Sequence, residues 1–139
     1  MTLVPRRMVR VVAALISGPA PGSFLVQQRL PNTSRANLWE FPGGKVEAGE
    51  TEPEALVREC QEELGVRVEV AERVWHTVHD YEDFSVDLAL HRARIVEGEA
   101  QSLGAQAIRF CTAQEMQSLP FCEADLPLLK ALALGKLRL

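Results

Sequence analysis

The stretch GKVEAGETEPEALVRECQEELGV, Gly44 to Val66, decides how this chain is read. Thr51 and Glu54 form a capping box, and Pro53 stands in the first turn, where its missing N–H does no harm. Gly65 after Leu64 is a natural stop, so a helix is predicted over Thr51 to Leu64. Leu56, Cys60 and Leu64 recur every fourth residue and make its buried stripe. Glu59, Glu62 and Glu63 stand at i, i+3 and i+4 and share one face beside that stripe.

Seven glutamates lie from Glu47 to Glu63, countered only by Arg58. Such a cluster is either a solvated helix face or a metal site, and composition alone favours the solvated face. Three close carboxylates nevertheless repel one another unless a cation compensates. Arg58 can reach Glu62 at i+4, or act through Glu54, but one arginine does not neutralise the set. Hard divalent cations take oxygen ligands, and Mg²⁺ is held by a few carboxylates together with phosphates and water. Gly43, Gly44 and Gly49 permit tight turns beside the helix, and Lys45 offers a point charge to phosphate oxygens.

The spacing Gly44, Glu50, Arg58-Glu59, Glu62-Glu63, Gly65 resembles the Nudix box, with Cys60 where a bulkier aliphatic residue is usual. The resemblance implies an α+β chain folded as an α/β/α sandwich with a mixed β-sheet. It implies Mg²⁺, with Mn²⁺ as a substitute. Glu59, Glu62 and Glu63 would be the metal ligands, with Gly43 in the same metal site. Glu50 and Arg58 would hold the loop–helix–loop in shape, and Glu59 or Glu62 would also help to deprotonate the attacking water. Catalysis would thus rest on Glu59, Glu62, Glu50 and Arg58.

Outside the box the chain is similar to the MutT branch. The likeness lies in Leu38-Trp39-Glu40-Phe41-Pro42-Gly43-Gly44-Lys45-Val46-Glu47, in Gln27-Gln28-Arg29, and in Leu119-Pro120 with Ala124-Asp125 and Pro127. It implies a nucleoside triphosphate substrate, cleaved to monophosphate and pyrophosphate, as in 8-oxo-dGTP sanitisation. Arg29 and Lys45 would meet the phosphates or nucleotide, Tyr81 or Phe84 would stack on the base, and Asp125 would face it. An ionised aspartate only accepts hydrogen bonds, so Asp125 suits the amine of cytosine and favours CTP or a modified cytosine triphosphate as the alternative. Asp125 also precedes Leu126-Pro127 and is well placed as an N-cap. Aromatics placed like Tyr81 and Phe84 are more often core or rim residues than stacking platforms, and Arg29 reads equally as an ordinary strand-end residue. The branch usually carries a further glutamate near Gly104 to Gln106; here that segment has none, so the helix glutamates suffice or Glu99 reaches in. A non-catalytic nucleotide-binding module is the other class, and it usually loses box glutamates, all of which are present.

The rest of the chain fits this frame. Its 139 residues, 47% hydrophobic and 24% charged, suit one globular domain over residues 1–139. A net charge of −4 argues against a nucleic-acid polymer as partner. No stretch approaches a membrane span, and Cys60, Cys111 and Cys122 show no metal or disulfide spacing. A cytoplasmic protein, monomer or homodimer, is expected. Val9–Ile16 and Phe24–Arg29 read as a hairpin across Gly18-Pro19 and Pro21-Gly22. Further strands are expected near Val66–Val70, Val74–His79, Phe84–Ile95 and Gln106–Cys111. A brief helix follows Thr112, and a last helix runs from Asp125 to Gly135.

Overall fold

The computed structural model describes residues 6–137. Seven strands and three α-helices follow in the order β1 (Met8–Ile16), β2 (Ser23–Gln28), β3 (Trp39–Glu40), β4 (Gly43–Lys45), α1 (Glu52–Leu64), β5 (Arg67–Asp80), β6 (Ser85–Glu97), β7 (Ala107–Thr112), α2 (Ala113–Met116) and α3 (Leu126–Ala133). A 3-10 turn over Glu123–Asp125 leads into α3. One sheet has the order β4-β1-β6-β5 and the other β3-β2-β7. β1 runs parallel to β6 and antiparallel to β4, so the expected mixed sheet is present.

β1 is apolar on both faces, and that places it in the middle. Val12, Ala14 and Ile16 pack with Ala55, Leu56, Cys60 and Leu64 of α1. Ala13 and Leu15 face the opposite way, into a cluster with Met116 of α2 and Leu128 and Leu129 of α3. Helices thus cover both sides, the α/β/α sandwich of the resemblance. Leu56, Cys60 and Leu64 are all fully buried, as their spacing predicts.

Two expectations about strands are corrected. β1 and β2 do not form a hairpin: β2 pairs with β3 and β7, and only the bridge Ser17 to Phe24 joins it to the end of β1. A strand buried on both faces gains more from two full neighbours than from one hairpin partner. The stretches Val66–Val70 and Val74–His79 are one strand, β5, with register shifts between Val70 and Arg73 and between Arg73 and Trp75. Buried His91 on β6 faces the Ala71 carbonyl with Nδ1 at 3.1 Å and Glu52 Oε1, at the start of α1, with Nε2 at 2.9 Å. This side chain anchors the irregular part of β5 to the helix that carries the glutamates.

α1 begins as predicted. Thr51 Oγ1 accepts from the Glu54 N–H and the Glu54 carboxylate accepts from the Thr51 N–H, a box worth about 1 kcal/mol. Gly65 closes the helix at φ 70°. Among the described residues no helix is long and apolar enough to cross a membrane.

Candidate active site

Arg58 is the hub of the loop–helix junction. Its Nε and Nη2 donate to the two oxygens of Glu50 at 2.8 and 2.9 Å, and Nη2 also donates to the Lys45 carbonyl at 3.0 Å. Nη1 donates to Glu59 at 2.8 Å and to Glu62 at 3.5 Å. Glu50 further accepts from the Glu47 N–H. These bonds pin the loop after β4 onto α1. They hold the Glu50 carboxyl at a pKa of about 2, through the Arg58 hydrogen bond first, and raise that of Arg58. Glu54 does not partner Arg58, because its carboxylate is engaged in the capping box.

The three helix glutamates face different surroundings. Glu59 lies under Gly44, and its side chain is only 14% exposed. A Cβ on Gly44 would stand 2.6 Å from either Glu59 oxygen, so a side chain here would push the Glu59 carboxylate out of its place. Burial raises the Glu59 pKa, against the opposing pull of Arg58. Glu62 points outward, its side chain 60% exposed. Glu63 turns toward the second sheet, where Gln27 Nε2 donates to it at 2.9 Å. Burial pushes Glu63 up to about 7; Gln27 opposes this, and the charges of Glu59 and Glu40 add to it. Among the described residues, no three His, Cys, Asp or Glu side chains are grouped as a metal cage.

The donor set still suits a hard divalent cation. It consists of carboxylate oxygens only, and burial beside other carboxylates leaves Glu59 and Glu63 costly to ionise without a positive neighbour.

A cleft of about 510 Å³ opens beside this junction. Gly43, Lys45, Glu63, Arg29, Tyr81, Phe84 and Asp125 all line it, so the structure gathers these predicted residues from five separate segments. Glu50, Arg58, Glu59 and Glu62 stand outside that lining, with Glu59 against Gly44 and Arg58 bonded to the Lys45 carbonyl of the strand that edges it. Arg29 donates to Glu40 at 3.1 Å and to the Ser34 carbonyl at 2.9 Å. Tyr81 and Phe84 stack on each other, with centroids 5.2 Å apart and planes at 27°. Arg35 sits 4.7 Å above the Tyr81 ring and Arg7 sits 5.6 Å from that of Phe84. The two rings are thus packed as rim aromatics and already covered by guanidinium groups.

Asp125 is corrected as a cap. It ends the 3-10 turn, and its side chain makes no cap hydrogen bond. It is 5% exposed at the cleft wall, and burial, with the Glu40 charge second, raises its pKa well above the ordinary value. Glu99 does not reach in: it lines a separate groove with Ile95 and Phe110. The loop at Leu103 and Gly104 instead donates its N–H groups to the Glu63 carbonyl at the end of α1.

Glu40, Gln27 and Arg35 escape the sequence reading. Glu40 and Gln27 sit inside the two quoted patches of likeness, but only the register that pairs Gln27 with Glu40 across β2 and β3 brings them to the helix. Arg35 had no signal, because it lies in a polar loop that folds over the rings.

Comparison with known proteins agrees with this geometry. A model of the NUDIX domain matches residues 11–131. The CTP pyrophosphohydrolase of Escherichia coli (strain K12) is 39% identical over 127 residues, 90% of this chain and 91% of that protein. The 8-oxo-dGTP diphosphatase of Proteus vulgaris is 32% identical over 87 residues, 63% of this chain and 77% of that protein. The solution structure of the E. coli ORF135 protein superposes with a TM-score of 0.76 at 36% identity, covering 94% of this chain and 92% of that one. This chain belongs to the Nudix family. Within the family it is a MutT-like hydrolase that acts on phosphorus anhydrides, and such enzymes generally use divalent cations.

Proposed function

We propose that this chain hydrolyses nucleoside triphosphates to monophosphate and pyrophosphate with Mg²⁺, and that cytosine triphosphates stand first among its substrates. Asp125 carries the choice of base. A carboxylate in the cleft wall with no capping bond accepts from an exocyclic amine at low cost, because it gives up no protein partner. The relative named as a CTP pyrophosphohydrolase supports the same reading. Oxidised guanine is the second reading. The raised pKa of Asp125 favours a protonated carboxyl, which offers a donor and an acceptor as asparagine does, and one relative is named as an 8-oxo-dGTP diphosphatase.

Glu59, Glu62 and Glu63 would hold the cation, with Gly43 beside it. When bound, Mg²⁺ supplies charge neutralisation of the phosphate chain and a more acidic water. Arg29 and Lys45 would bind phosphate oxygens from the opposite side. Glu59 or Glu62 takes the proton of the attacking water, whose oxygen bonds to phosphorus as the bond to pyrophosphate breaks. Glu50 and Arg58 hold the loop and helix in register throughout. A cytoplasmic location is part of this reading, in line with three buried, unpaired cysteines.

Pyrophosphate release with Mg²⁺ across CTP, dCTP, 5-hydroxy-dCTP, dGTP, 8-oxo-dGTP and ADP-ribose tests the proposal. Rapid turnover of a cytosine triphosphate is expected, falling by about 10²-fold in Glu62→Gln. A win for 8-oxo-dGTP would move the assignment to the second reading, and turnover of no triphosphate would sink both.

Asp125→Asn gives two further readouts. If Asp125 meets the base as an ionised acceptor, replacing it by an amide should narrow the cytosine-over-guanine preference about 10-fold in kcat/KM; if it meets the base protonated, the amide should leave that preference nearly unchanged. It should also change the pH dependence of stability. Because the folded state holds the Asp125 proton more tightly than the unfolded state, the wild type loses stability as pH rises from the ordinary aspartate range through the raised value. The variant escapes that loss, so its Tm advantage should be near zero at pH 3 and grow toward pH 8. Parallel Tm curves for the two proteins would contradict this account.

A further inference from the structure

We propose that Gln27 is a positioning residue that clamps Glu40 to Glu63 and so shapes the cation site; the inference rests on Glu63 belonging to that site. Gln27 is 2% exposed at the end of β2. Its Nε2 donates to Glu40 Oε2 at 3.1 Å and to Glu63 Oε2 at 2.9 Å. One amide nitrogen thereby joins β3 to α1 and keeps two carboxylate oxygens within roughly 6 Å of each other. Like charges at that range push each other apart unless a donor or a cation sits between them.

The rest of the amide supports this role. Gln27 Oε1 is buried and finds no hydrogen-bond partner, so the side chain does not satisfy its own polar groups. The opposite amide orientation would set Oε1 against two carboxylates, so repulsion fixes the observed one. An apolar residue of the same length would fill the space and remove the unmet Oε1, but it would offer no donor to the two carboxylates. The amide therefore does not serve packing alone; it sets where two carboxylates lie. Arg29, two residues further on, donates to the other Glu40 oxygen at 3.1 Å, so both Glu40 oxygens are held.

The test is Mn²⁺ binding followed by electron paramagnetic resonance on the intact chain, with kcat against Mg²⁺ concentration and Tm alongside. Gln27→Met keeps the volume without the donor. It should weaken Mn²⁺ binding 10- to 100-fold, hold or raise Tm, and lower kcat at limiting Mg²⁺, with much of the rate recovered at saturating cation. Gln27→Asn, one methylene too short to reach both carboxylates, should show the same loss if Gln27→Met folds poorly. Wild-type Mn²⁺ affinity in both variants at unchanged Tm would overturn the clamp while leaving the cation reading intact. A wild type that binds no Mn²⁺ and turns over no triphosphate would overturn both together. A fall in Tm without change in Mn²⁺ affinity would make Gln27 a packing residue only and would also overturn the clamp.

Discussion

Glu59→Gln should lower kcat by roughly 10³-fold, the upper range for loss of one well-placed electrostatic group. The reason lies in where this carboxylate sits. It is the most enclosed of the glutamates that touch Arg58, with Gly44 pressed against its oxygens. Its charge is costly to bury, and Arg58 offsets only part of that cost. An amide keeps an acceptor for Arg58 and the shape under Gly44, but it removes the negative charge that would face a cation. The fold should therefore survive, with Tm unchanged or slightly higher. Steady-state kinetics beside a thermal melt decides the matter. A kcat within a few-fold of wild type would remove Glu59 from the catalytic set.

The largest loss of stability is expected from Gly43→Ala. A Cβ at Gly43 would land on the Val12 carbonyl oxygen and stand 2.7 Å from Ala13 Cα. Both are backbone atoms of the central strand, so no rotamer change relieves the overlap. β4 would have to leave β1, breaking the register Val12 to Gly44 and Ala13 to Gly43. A cost of about 3 kcal/mol or more follows for forced backbone displacement. For a chain of this size that is a fall in Tm of roughly 10 °C. Activity should fall too, because Gly43 and Lys45 form the cleft edge. A melting point within 2 °C of wild type, by this roughly linear scale, would mean that β4 can shift without loss.

These two variants lie on either side of one junction and differ in kind. Glu59→Gln changes charge and leaves shape, whereas Gly43→Ala changes shape and leaves charge. Arg58 and Glu50 explain why the junction stays together without a side chain at Gly43 or Gly44. Their paired hydrogen bonds hold the loop that the glycines allow to pass.

The helix with its cap, stop and buried stripe was legible in the amino-acid order, because each signal acts within a few residues. Arg58 as the neighbour of Glu62 was legible for the same reason, whereas the different surroundings of Glu59, Glu62 and Glu63 were not. The alternation of β6 was legible for the same reason. Long-range pairing was not. β1 looks like the first arm of a hairpin when only its turn is considered, yet burial on both faces sends it between β4 and β6. Asp125 looks like a cap in its own segment, yet the fold turns it into the cleft wall near Glu40. Gln27 and Glu40 carry no local mark, and they meet Glu63 only because two strands pair in one register beside α1. Local hydrogen-bonding chemistry and side-chain periodicity are written along the chain. Burial, repulsion among distant carboxylates and the choice of strand partner arise only when separate segments compete for the same interior.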